Sequence, residues 1–133
     1  MIVLDSYAWI EYFLGSDSGR IAKEYLDGEE AFTPSIVLAE VARKYLREGM
    51  DEEDVARRLI FIVSRSNILE LDVQLSVLAA KAYLELLKTA KERKLKTPSL
   101  SDGIVLAAGR MLKAKIVTGD EHFKGLNETI FLA

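Results

Sequence analysis

Two apolar runs that each end on an acid constrain this chain more than any other feature. One is "MIVLD" at residues 1–5, and the other is "KIVTGD" at residues 115–120. A short, continuous apolar run reads as a strand buried on both faces. A carboxylate ending such a strand is costly unless something pairs with it. In open parallel sheets, ligands sit beyond the carboxyl ends of the strands. Asp5 and Asp120 lie at such ends and share one edge of the sheet if their strands are neighbours.

The rest of the chain repeats the alternation. Further strand-like pieces are "AFT" (31–33), "NILEL" (67–71) and "TIFLA" (129–133). Between them the pattern predicts helices at about 7–14, 18–26, 36–47, 51–66 and 72–93, and one following the loop at 97–100. Ser6, Ser35 and Asp72 are the expected caps, and the "NILEL" strand is expected at an edge. The order implies an α/β, three-layer sandwich with a mostly parallel central sheet flanked by helices. A length of 133 residues without repeats or linkers fits a single domain, 1–133, with a real core.

Composition narrows the chemistry. There is no cysteine, which removes disulfides and thiolate zinc sites, and the one histidine, His122, excludes sites needing two imidazoles. A metal here would be held mainly by carboxylates, which suit Mg²⁺ or Mn²⁺. The net charge of −3 implies no general attraction to nucleic acid but leaves room for a local basic patch. There is no secretory signal or membrane-length apolar stretch, so a cytoplasmic protein is expected.

Two more acids stand out. Glu40 lies between Ile36 and Val37 on a helical wheel, in the first turns of a helix that leaves the same sheet edge. Asp102 begins the helix that leads into the "KIVT" strand. If that helix runs straight back, its start falls at the opposite edge, so topology does not place Asp102 with the others. Each acid also has a simpler reading. Asp5 and Asp120 can be helix caps, Asp102 can complete a capping box with Ser99, and Glu40 can pair with Lys44.

"MIVLDSYAW", "PSIVLAEVARKY", "LSDGIVLAAG" and "IVTGDEHF", in this order, resemble the PIN-domain family, with the nearest match to VapC-like toxins of toxin–antitoxin pairs. The resemblance covers essentially the whole chain. It implies a parallel sheet with helices on both sides and an acidic cluster, Asp5, Glu40, Asp102 and Asp120, that binds one or two Mg²⁺ or Mn²⁺ ions. Ser6 and Thr118 match supporting hydroxyl positions. His122 stands where many relatives carry a further acid, which bears on a second metal. Gly103 stands where alanine is usual, at a cost of about 1 kcal/mol to the helix.

The resemblance implies a metal-dependent endoribonuclease, a cognate antitoxin and a homodimer. The alternatives are an RNA-processing nuclease outside such pairs, a non-catalytic binding module, and a phosphoacceptor signalling domain. The lone Asp5 ranks the last low, because receiver domains end their first strand on a pair of acids. Candidate RNA contacts are Arg43, Lys44 and Arg47 on the Glu40 helix, and Lys91, Arg93 and Lys94 near the end of the long helix. At helical spacing, Tyr7, Trp9 and Tyr12 read as core before they read as base-stacking platforms. His122 is expected to be solvent-exposed beside the site.

Overall fold

The computed structural model describes residues 1–132. In chain order, the elements are β1 (Ile2–Leu4), α1 (Ser6–Leu14), α2 (Asp17–Gly28), β2 (Ala31–Pro34), α3 (Ser35–Arg47) and α4 (Glu52–Arg65). Then follow β3 (Asn67–Leu69), α5 (Val73–Glu92), α6 (Leu100–Leu112), β4 (Lys115–Thr118), a 3-10 turn (Glu121–Phe123) and β5 (Thr129–Phe131). Ala133, the last residue of the expected fifth strand, lies outside the described residues.

The strands form one parallel sheet in the order β3-β2-β1-β4-β5. Successive residues of a strand face opposite sides. Ile2, Val3 and Leu4 are all buried, so both faces of β1 are covered, as its unbroken apolar run requires. The helices fall into two groups. α1 to α4 pack among themselves, α5 packs on α6, and members of both groups touch the sheet. β3 is an edge strand, as expected.

The pairing of β1 with β4, with Leu4 opposite Val117, puts Asp5 and Asp120 at one edge. α3 leaves β2 at that edge and carries Glu40. The expectation for α6 needs correction. Its end leads through Ala114 to Lys115 at the amino end of β4, so its start, with Asp102, lies at the carboxyl edge with the other acids. A helix antiparallel to the strand it feeds must begin beside that strand's carboxyl end. Segment 93–99 reaches the same edge, where the Arg93 guanidinium donates to the Lys124 carbonyl.

The helix starts also differ in detail. Asp5, not Ser6, caps α1, and Ser16 caps α2. α3 begins at Ser35 without a side-chain cap, because Pro34 holds the cap position. Asp72 caps α5 as expected, through its bond from the Leu75 amide at 2.8 Å. Gly103 has a packing role that helix propensity does not capture. A Cβ there would lie 2.7 Å from the Ala79 carbonyl oxygen and 2.8 Å from the Tyr83 Cβ, so α5 and α6 meet through it.

Gly103→Ala is therefore expected to destabilise the protein by about 1–3 kcal/mol, the usual range for overpacking, despite alanine's better helix propensity. Urea unfolding measures this, and a stabilised variant would contradict the close approach.

Candidate metal centre

Three acids of the candidate centre, Asp5, Asp102 and Asp120, are held by the same local bonds that make them good caps. Asp5 accepts from the Ala8 amide at 2.9 Å through Oδ1 and from the Thr118 hydroxyl through Oδ2. The Thr118 oxygen in turn accepts from the Asp120 amide at 3.0 Å. Asp120 Oδ1 accepts from the His122 amide at 2.8 Å, and the His122 Nδ1 lies 2.7 Å from the same oxygen. Asp102 and Ser99 form a full capping box, with the Ser99 amide 2.9 Å from Asp102 Oδ2. The capping readings of Asp5, Asp102 and Asp120 are thus correct as geometry. They do not compete with a metal, since a carboxylate has more acceptor sites than a cap uses.

Glu40 does not pair with Lys44, which bonds Glu48 at 3.0 Å instead. The Glu40 carboxyl faces the hydroxyls of Ser101 and Ser6, with Asp102 and Arg43 close enough to act on its charge. Ser101 is a neighbour that the sequence reading missed. Its place directly before Asp102 on α6 was the available signal.

Burial and mutual repulsion set the electrostatics. Burial lifts the Asp5 carboxyl from 3.8 to about 7, the bonds from Thr118 and Ala8 offset part of this, and the charges of Asp120 and Asp102 add to it. Burial also raises Glu40 and Asp102, with Asp102 acting on Glu40 and Asp120 acting on Asp102. The four acids therefore sense one another, as a cluster awaiting positive charge does.

His122 is not the exposed residue expected. Its side chain is 10% exposed, with Nε2 2.7 Å from the Lys96 carbonyl oxygen and Nδ1 on Asp120. Burial pulls its pKa down, but its bonds to Lys96 and Asp120 outweigh this and leave it above the ordinary value. The expectation failed because Lys96 is 26 positions away and invisible to local pattern.

A cleft of about 430 Å³ opens beside the acids, lined by Ser6, Tyr7, Glu40, Arg43, Arg47 and Asp120 among others. Lys44 lines it too, whereas Lys91, Arg93 and Lys94 are not among its lining residues. Trp9 is core, donating its Nε1–H to Thr33 at 3.1 Å, and Tyr12 packs against it. Tyr7 lies on the cleft wall over Gly119, where a Cβ would sit 2.2 Å from the ring.

The comparisons with known proteins agree with this architecture. Residues 2–128 match the PIN domain family model, and the chain belongs to the PIN-domain family. The fold is similar to a toxin–antitoxin complex from Klebsiella pneumoniae, at 21% identity and TM-score 0.68, covering 100% of this chain and 98% of that one. It is similar to DNA-bound VapBC from Salmonella typhimurium, at 17% identity and TM-score 0.73, covering 99% and 98%. It is also similar to the Mycobacterium tuberculosis sarcin-ricin loop cleaving toxin VapC20, at 18% identity and TM-score 0.69, covering 96% and 95%. The search of curated proteins finds no match. Among the described residues, no helix is long and apolar enough to cross a membrane.

A carboxyl whose pKa is raised by folding holds a proton that the unfolded chain has already released. The folded state then loses stability as pH rises through the window between the two values, here from about 4 to about 7 for Asp5. The raised values of Glu40, Asp102 and His122 act in the same direction. In EDTA, the melting temperature is expected to fall between about pH 4 and pH 7, and Asp5→Asn to flatten that fall and melt no lower than wild type at the upper end. Thermal circular dichroism reads this. A variant melting clearly lower at the upper end would make Asp5 a structural cap alone.

Proposed function

We propose that this chain is a metal-dependent endoribonuclease and the toxin of a toxin–antitoxin pair. The observation that carries the reading is the convergence of Asp5, Glu40, Asp102 and Asp120, from separate elements, beside one cleft at the carboxyl edge of the sheet. The donor set fits Mg²⁺ or Mn²⁺, one or two ions, because it offers hard oxygens whose mutual repulsion a cation relieves. When bound, such a cation supplies an activated water and neutralises charge developing on phosphoryl oxygens.

The chain's own residues do the rest. The Thr118 hydroxyl and the Ala8 amide orient Asp5, the Ser99 amide orients Asp102, and the His122 amide orients Asp120. Arg43, Lys44 and Arg47 along the cleft hold the backbone phosphates of the substrate. Lys91, Arg93 and Lys94 extend this contact for a longer RNA. Hydrolysis by activated water leaves a 5′-phosphate and needs no ribose 2′-hydroxyl. The preference for RNA rests on the family and on the sarcin-ricin loop cleaving relative.

The complexes among the structural relatives support a protein antitoxin as partner, and the reading seats it over the acidic cleft. A homodimer and a cytoplasmic location complete the reading. A small DNA-binding protein encoded directly upstream would favour the toxin role, and its absence an RNA-processing nuclease.

Cleavage of an RNA panel with Mn²⁺ tests the proposal. Asp5→Asn is expected to lose more than the roughly 10–100-fold that losing an outer partner of a metal ligand costs. Products are expected to end in 5′-phosphates. Full activity of the variant, or 2′,3′-cyclic phosphate ends, would sink the assignment.

A further inference from the structure

His122 is the one imidazole in the chain, and its ring is fixed at both nitrogens. The Lys96 carbonyl, 2.7 Å from Nε2, can only accept a hydrogen bond, so Nε2 carries a proton. In the neutral ring this leaves the lone pair on Nδ1, which points among the acids. Nδ1 lies 2.7 Å from Asp120 Oδ1 and 3.9 Å from Asp102 Oδ2, and one ligand atom from each of the three residues falls within 4.8 Å of the others. Ligand atoms about 2.0–2.3 Å from a common ion are spaced at roughly such separations.

We propose that His122 is a nitrogen ligand, through Nδ1, of the cation held by Asp102 and Asp120, and that it biases this centre toward transition ions such as Mn²⁺ over Mg²⁺. The inference rests on the metal-dependent reading above and adds a ligand that the four carboxylates do not include. Metal-binding histidines characteristically donate their other ring N–H to a carbonyl or carboxylate, which fixes the tautomer and the ring plane; Lys96 fills that place here. Imidazole suits first-row transition ions, whereas Mg²⁺ favours all-oxygen surroundings.

Without the ion, a proton occupies the Nδ1–Asp120 contact. Binding replaces that proton, which leaves to solvent. Segment 93–99, which carries Lys96, thereby becomes part of the centre's support, and its link through Arg93 to the Lys124 carbonyl holds it against the same turn.

The single histidine makes the test direct. The full chain is titrated with Mn²⁺, and pulsed EPR is recorded for imidazole-type ¹⁴N coupling, which only His122 can produce. The expected result is such coupling in wild type and its loss in His122→Gln. The variant's Mn²⁺ dissociation constant should rise about tenfold or more, with Mg²⁺ affinity changing several-fold less. Stoichiometric Mn²⁺ binding without nitrogen coupling in wild type would overturn the ligand role and leave the nuclease reading standing. Failure of wild type to bind Mn²⁺ at all would overturn both. The wild-type spectrum decides the matter even if the variant folds poorly.

Discussion

The hydrogen bond from the Thr118 hydroxyl to Asp5 joins the ends of the two central strands, and the rest of the site is arranged around it. Both residues are buried, so the bond between them replaces hydration that folding removes. The Thr118 oxygen also accepts from the Asp120 amide, and Asp5 also accepts from the start of α1. One buried hydroxyl thereby sets the turn after β4, the register between β1 and β4, and the direction of the first acid. A buried polar group without these partners would be strongly destabilising.

Around that bond the chain uses one device repeatedly: an acid that caps a helix or turn also belongs to the acidic cluster. Capping occupies one lone pair and fixes the rotamer, and further lone pairs remain for a cation. This explains how several carboxylates can crowd together in a folded protein. Asp5, Asp102 and Asp120 are compensated locally by backbone N–H groups, and burial, with repulsion among the acids adding to it, raises the pKa values of Asp5, Glu40 and Asp102. Structure and chemistry are not alternatives at these positions.

Much of the fold was legible because its signals are local. The apolar runs at β1 and β4 and the Asp72 cap all act within a few residues. Asp5, Glu40 and Asp120 could be placed at one edge from strand direction on the condition that β1 and β4 are neighbours, which their pairing meets. Asp102 needed the family resemblance because the direction of α6 was misjudged. The burial of His122 was misread and Ser101 was missed because their partners come from other segments: Lys96 from the α5–α6 connection, and Glu40 from α3. Gly103 looked like a defect in a helix, since propensity counts backbone freedom and not the approach of α5.

By itself, the sequence determined the alternation of buried strands and amphipathic helices, and with it a parallel sheet whose carboxyl edge gathers acids. Periodicity and caps depend on neighbours along the chain, so they can be read there. Only the tertiary structure decided which carboxylates sense one another, which cations line the cleft, and that the histidine is pinned between Lys96 and Asp120. Those outcomes depend on distances between residues far apart in sequence. They are set when α6 and the 93–99 segment close over the edge of the sheet.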